Sequence, residues 1–463
     1  MKHSERMVQF FDENFNEKKC HDLCRKHKFI QRSSSKLKGY EFIKTMIIPS
    51  VGLSTDSLKG LCRRMREYNP EADLTSQALC ERINDISASN LMQAMFSELL
   101  LKVHERIVSL QKTPILDKFS RIMVQDSSTA TLNEKLEKHY PGTNRGGNGV
   151  KSQVKIDLIY DLSKGITIDA QLFRGNEPDQ GLADRVLEFI KENDLLLRDL
   201  GYFKISVFKA INIAGAYFLS RLMPRVHFYL QEEDTEALDI GKYLSYKDQR
   251  NLNVIEIKGF LGKEKVPARL IIYRQPLEVT AKRLREANKN RRKRGETMSE
   301  SKKLLLHFSM FVTNILREHV SAELIGTIYR LRWEIELVFK RWKSQLEIDY
   351  LKGINPERID CLIWSRLCTV LIVELIAAVF DRIIEGLYDV ELSIVKLIQY
   401  LMRGNKFCEA VIKNKLGLFI VEMMQDTPKM LLKDKKNSKT MRERVFFGEP
   451  YYETQTTEIQ HIA

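Results

Sequence analysis

The sequence predicts an α/β protein in which a mixed-sheet core carries a β-rich insertion and is flanked by helical N- and C-terminal regions. Three observations carry that reading. Apolar residues recur at helical spacing across residues 1–112 and again after 386. Between 113 and 222, short apolar β-like runs alternate with helical ones, the pattern of a sheet packed by helices. Residues 223–307 interrupt that alternation with further β-like runs, the core resumes over 308–385, and 386–463 form a helical tail.

At 463 residues the chain has ample length for several domains and a large core. Its formal net charge of +14 and pI near 9.2 favour a polyanionic partner, nucleic acid first. A membrane is not expected. No apolar run reaches the ~18 residues of a span, and the best stretch, Cys368 to Phe380, is broken by Glu374. The first residues, Met-Lys-His-Ser-Glu-Arg, lack the apolar core of a signal peptide, so a cytoplasmic, nucleoid-associated location is expected. Seven scattered cysteines fit a reducing compartment. Cys20, His21, Cys24 and His27 have zinc-ligand chemistry, but no second ligand pair follows, and two ordinary helix cysteines are expected.

In the N-terminal region, Ser57 to Tyr68 and Thr75 to Ile83 read as two short helices joined by a polar turn. They fit either plain packing or a helix-turn-helix whose second member, with Ser76, Gln77, Glu81 and Arg82, would enter a major groove. Arg121 to Val124 is a short apolar strand that delivers Asp126. Residues 141–151 form a glycine-rich basic loop without the Gly-Lys-Ser/Thr ending of a phosphate-binding loop. Two β-like runs follow, Gln153 to Tyr160 and Gly165 to Phe173, then a helix over Gly181 to Asn193. Leu195 to Phe203 is expected to be a strand buried on both faces that delivers Asp199. Phe208 to Ala216 and Tyr217 to Leu222 read as a helix and a further strand. Three strands, a helix, a strand, a helix and a strand is the element order of an RNase H-like core.

The insertion holds β-like runs at Arg225 to Leu230, Asn253 to Ile257 and Ala268 to Tyr273. Lys282 to Arg294 then carries eight basic residues against the single acid Glu286. Its end, Arg291, Arg292, Lys293 and Arg294, is a candidate for contact with a phosphate backbone, against the simpler reading of a solvated surface.

Tyr329 to Lys343 is expected to form one helix. At roughly 100° per residue, Tyr329, Arg332, Glu336 and Lys343 fall within an arc of about 60°. A carboxylate there is flanked by two cations and a phenol, opposite an apolar stripe. Asp126, Asp199 and Glu336 then make a carboxylate triad. Two hard divalent ions about 3.5–4 Å apart can activate an attacking oxygen and relieve a leaving one. Without metal, three clustered carboxylates repel one another.

The spacing Tyr-x2-Arg-x3-Glu-x6-Lys at 329–343, with Val-Gln-Asp-Ser-Ser at 124–128, Asp-Leu-Gly-Tyr-Phe at 199–203 and Gly-Ala-Tyr-Phe-Leu-Ser-Arg-Leu at 215–222, resembles the DDE transposases of bacterial insertion sequences, specifically the insertion sequence four family. That resemblance implies cut-and-paste transposition with Mg²⁺ as cofactor, two ions, for which Mn²⁺ can substitute. It implies a homodimer on double-stranded DNA: the inverted terminal repeats are nicked, closed into a hairpin, reopened and joined to target DNA. Asp126, Asp199 and Glu336 would be the catalytic metal ligands, and Tyr329, Arg332 and Lys343 DNA contacts. The family holds a flipped base on an aromatic near the insertion. Here Trp333, Trp342 and Trp364 lie outside it, leaving Tyr243, Tyr246, Phe260 or Tyr273 as substitutes. The competing classes are a DNA-binding relative that no longer cuts and a stand-alone two-metal nuclease.

Overall fold

The apolar residues of the central strands alternate between two cores, and this alternation organises the molecule. In the computed structural model, residues 2–32, 36–48, 57–107, 118–143, 149–248, 252–293, 295, 298–385, 392–402, 406–413, 415–426, 428–434 and 449–450 are described. Nine strands form one mixed sheet: β1 (Ile122–Thr131), β2 (Gln153–Asp161), β3 (Ile166–Arg174), β4 (Leu195–Arg198), β5 (Tyr217–Arg221), β6 (Phe228–Tyr229), β7 (Val254–Leu261), β8 (Val266–Arg274) and β9 (Phe308–Thr313). Their spatial order is β3-β2-β1-β4-β5-β9-β8-β7-β6. β1 to β3 form an antiparallel meander, β4 and β5 add parallel to β1, and β9 returns antiparallel to β5. The first five strands have the RNase H-like arrangement.

On one face Ile122, Val124, Leu195, Leu197 and Leu219 join a core shared with the N-terminal helices and the long Pro356–Glu385 helix. On the other, Met123, Leu196, Phe218 and Val312 pack against the Asp179–Glu188 and Ile205–Ile213 elements. Successive residues of a strand point to opposite faces, so a strand covered by helices on both sides is apolar throughout. The stretch 356–381 is apolar and long enough to cross a membrane, yet 89% of its most apolar window is buried within the protein.

Several sequence expectations change. β1 does not end near Asp126 but continues to Thr131, because its polar second half pairs with β2. β4 is shorter than expected and stops at Arg198, where Asp199 caps a 3-10 turn, Leu200–Tyr202. The helix expected at 181–193 is a 3-10 segment, Asp179–Glu188. The insertion's strands do not build a separate sheet. β6, β7 and β8 extend the core sheet through β9, which pairs with both β5 and β8.

The single helix expected over 329–343 is two helices, Ala322–Arg330 and Glu334–Leu346, joined by a 3-10 turn at Leu331–Trp333. The break falls at Arg332, the residue that neighbouring carboxylates hold. In the N-terminal region the expected helix pair is present as Leu58–Tyr68 and Ser76–Ile83, with Ser57 and Thr75 as N-caps. Arg82, a candidate groove contact, instead donates to the Phe29 carbonyl at 2.6 Å. Cys20 and Cys24 are buried in the core of the N-terminal helices, and that burial pushes their thiols up to about 12. Of the glycine-rich loop, residues 144–148 lie outside the described residues.

Candidate active site

β1 and β4 are parallel, and Gln125 is paired with Arg198, so the next residues, Asp126 and Asp199, emerge side by side. Both share the parity of Val124 and Leu197 and therefore face the Glu334–Leu346 helix. Glu336 stands in the first turn of that helix. Asp126 Oδ1 accepts from the Ser127 amide at 2.8 Å, and Asp199 Oδ2 from the Gly201 amide at 3.4 Å.

The three carboxylates meet at one guanidinium. Arg332 places Nη1 3.5 Å from Asp126 Oδ2, Nε 3.8 Å from Asp199 Oδ1 and Nη2 2.8 Å from Glu336 Oε1. Burial works against the Arg332 charge, but Tyr329, Asp199, Glu336 and Asp126 together hold its pKa above the ordinary value. Burial pushes the Asp126 carboxyl up to about 6. The Ser127 amide and Arg332 pull it down, while Asp199 and Asp179 add to the rise. Such a site calls for added positive charge. The donor set, three carboxylates, fits a hard divalent ion. As the side chains stand, no three His, Cys, Asp or Glu among the described residues are gathered closely enough to hold one. Arg332 lies between them.

Beside the triad runs an open cleft lined by Ser128, Phe339, Lys340 and Lys343. Residues 117–372 match the family described as the transposase DDE domain. The chain belongs to the DDE transposases. Among its relatives, a transposase for the insertion sequence element IS231F of Bacillus thuringiensis subsp. israelensis is 29% identical over 75% of each chain. One for IS1151 of Clostridium perfringens is 25% identical over 88% of this chain and 90% of its own. One for IS231E of Bacillus thuringiensis subsp. finitimus is 30% identical over 75% of each. A looser likeness is to the piggyBac transposase synaptic complex with hairpin DNA, with TM-score 0.40 and 10% identity, covering 94% of this chain and 87% of that one. As a DDE transposase the protein is an enzyme that cleaves DNA and transfers strands. Its family works with divalent metal ions, and membership in the insertion sequence four family fits.

The other candidate residues of the transposase are more dispersed. Tyr329 is buried against Phe311, with ring centroids 5.1 Å apart, and burial raises its pKa against the pull of Arg221 and Arg332. Lys343 Nζ donates to the Thr129 carbonyl at 3.0 Å. The basic run lies on a helix, Leu277–Arg292, with Arg292 and Lys293 exposed and Arg291 half-buried. Arg294 lies outside the described residues.

Of the four stacking candidates, Tyr273 is ruled out by full burial: its hydroxyl accepts from the Gly326 amide at 2.9 Å and donates to the Ala322 carbonyl. Tyr246 is exposed, while Tyr243 and Phe260 are half-buried. Trp333, although outside the insertion, is 59% exposed beside Arg332.

Three charged residues near the triad are not among the candidates named from the sequence, although Arg221 lies within the 215–222 block and Lys340 within 329–343. Arg221 Nη2 lies 3.5 Å from Asp199 Oδ1. Asp179 accepts from Ser127 Oγ at 2.9 Å and pairs with Lys155 at 2.6 Å. Lys340 lines the cleft one turn from Glu336. For Arg221 and Lys340 a signal existed: Arg221 shares the strand parity of Leu219, and Lys340 the helix face of Glu336. Asp179 reaches the site only through tertiary folding.

Proposed function

We propose that this transposase excises an insertion sequence at its inverted terminal repeats and inserts it elsewhere, with Asp126, Asp199 and Glu336 as the metal ligands. The convergence of the three carboxylates on the Arg332 guanidinium beside an open cleft is the observation that supports this most. Two Mg²⁺ ions, with Mn²⁺ able to substitute, would supply an activated attacking oxygen and relief of charge on the leaving oxygen.

The chain's own residues bind and aim the DNA. Lys340 and Lys343 offer cations to phosphates along the cleft, Arg332 adds one among the carboxylates, and the exposed side of the Leu277–Arg292 helix is a second basic surface, in the insertion. Arg332 keeps the carboxylates apart from one another until phosphate and metal share the site. Tyr329 supports the turn that carries Arg332. In the hairpin route the 3′-hydroxyl freed by the first nick attacks the opposite strand, which requires the end base pair to open. Trp333 or Tyr246 presents an exposed ring for the displaced base. A homodimer would bring the two ends together in the cytoplasm.

The test supplies labelled terminal-repeat DNA, Mg²⁺ and a target plasmid. Joined products support the proposal. Cleavage without joining would favour a nuclease, and binding alone a relative that no longer cuts.

A further inference from the structure

On the face of the sheet opposite the aspartates lies a cluster of buried polar side chains that the chemistry above does not use. Gln125 immediately precedes Asp126, Arg198 immediately precedes Asp199, and the two are register partners across β1 and β4. Strand alternation sends both side chains away from the carboxylates. Gln125 is 1% exposed and Arg198 is 0% exposed.

Arg198 Nη1 donates to Gln125 Oε1 at 2.6 Å and Nη2 to the Ala183 carbonyl at 2.5 Å. Gln125 Nε2 donates to Asp157 Oδ2 and to the Leu182 carbonyl, both at 2.9 Å. Asp157, fully buried on β2, also accepts from Tyr202 Oη at 2.5 Å and from Arg185, which reaches on to Asp169. Tyr202 closes the 3-10 turn that Asp199 begins. One cluster thus grips the residue before each aspartate and the turn after the second.

A buried guanidinium is a poor means of stabilising a core, because removing it from water is costly. Among the described residues Arg198 carries that cost without a direct carboxylate partner, and its Nε finds no hydrogen-bond partner there. What a guanidinium supplies and an apolar side chain does not is direction. The backbone ladder of β1 and β4 fixes their register, and the side-chain hydrogen bond between residues 125 and 198 restrains, where apolar contacts would not, the small shift and twist still open at the end of that ladder. A shift at that position would change the spacing of the next residues, the two aspartates.

We propose that the Arg198–Gln125 pair, anchored on Asp157, is a positioning device that sets the spacing of the Asp126 and Asp199 carboxylates and so their capacity to take up divalent ions. The inference rests on the reading of those aspartates as metal ligands. Neither Arg198 nor Gln125 touches DNA or the reacting atoms; each acts through the backbone of the residue that follows it.

The test uses full-length protein with Gln125→Met, which keeps the side-chain length but removes the hydrogen bonds, and the double variant Arg198→Leu/Gln125→Leu. Ile211→Ala, a cavity in the same core, serves as the control for general loss of stability. Manganese uptake is read from the loss of the free Mn²⁺ resonance, and single-turnover nicking from a labelled DNA end. Gln125→Met is expected to bind the end like wild type while Mn²⁺ affinity and nicking fall about 10–100-fold, the range for residues that orient metal ligands. The double variant should fall at least as far, and Ile211→Ala should melt earlier yet keep its Mn²⁺ affinity. A Gln125→Met titration that superimposes on wild type overturns the inference, as does an equal loss of Mn²⁺ affinity in Ile211→Ala. Wild-type protein that takes up no Mn²⁺ would overturn the metal-ligand reading itself, a separate result.

Discussion

Arg332 Nη2 lies 2.8 Å from Glu336 Oε1, one helical turn away, and the same guanidinium reaches toward Asp126 and Asp199. One cation thus reaches carboxylates delivered by a strand, a turn and a helix, with Arg221 as a second partner for Asp199 alone. Arg332→Ala leaves them facing one another and should cost on the order of 1–3 kcal/mol in metal-free buffer. Added Mg²⁺ should then raise the melting temperature more in the variant than in wild type. On a labelled transposon end, Arg332→Ala and Tyr329→Ala should accumulate nicked DNA, because aiming the 3′-hydroxyl tolerates less misplacement than the first cut. Equal loss of every product would remove the positioning role.

Loss of any one carboxylate should be more severe. Asp126→Asn, Asp199→Asn and Glu336→Gln preserve shape but remove the charge of a proposed metal ligand, so cleavage should drop by at least ~10³ while end binding persists. Gel-shift and cleavage assays on the same preparation separate the two effects. A variant that still nicks with Mg²⁺ would exclude its residue from the site.

The helix Leu277–Arg292 offers the next test, since Lys282, Arg285, Lys289 and Arg292 recur on it at three- and four-residue spacing and all are exposed. Replacing the four by alanine should flatten the dependence of log affinity on log salt by about 0.9 for each phosphate that the helix no longer neutralises. A line that superimposes on wild type would mean the helix stays in solvent.

Stability should respond to pH through Glu374, buried in the Pro356–Glu385 helix, where it accepts from the Thr167 amide and hydroxyl at 2.9 Å. Burial raises its carboxyl to about 8, against the pull of the Thr167 hydrogen bonds and Arg341. The folded state therefore holds this proton more tightly than the unfolded state does. Stability is greatest below the unfolded carboxylate pKa and falls as pH rises toward 8, by at most about 1.4 kcal/mol per unit from this group. Glu374→Gln should flatten that slope between pH 6 and 8 in chemical denaturation, and an unchanged slope would refute the assignment.

The two aspartates were legible because each follows an apolar run, and Glu336 because of its signature spacing. The continuation of β1 was not, since Gln125 to Thr131 is polar and becomes a strand only by pairing with β2. The break at Leu331–Trp333 was hidden for a similar reason: no Gly or Pro marks it, and the carboxylates around Arg332 come from distant sequence. The Gln125–Arg198 hydrogen bond needed the strand register, which sequence alone does not supply. In sequence the insertion stands as a separate block, because pairing of β9 between β5 and β8 leaves no local mark.

That placement of β9 bears on how the enzyme can be shortened. Leu219 of β5 and Arg269 of β8 are both partners of Thr313, so β9 is a seam stitched from both sides. Deleting 223–307 would not trim an appendage; it would expose the outer backbone edge of β9, a template for stray strand pairing. Arg269 would go with it, and its Nη1 now secures the carbonyls of Ile315 and Val320 at 2.8 and 3.1 Å, on the segment leading to the Ala322–Arg330 helix. A minimal version of this enzyme must therefore keep β8, whatever part the insertion takes in binding DNA.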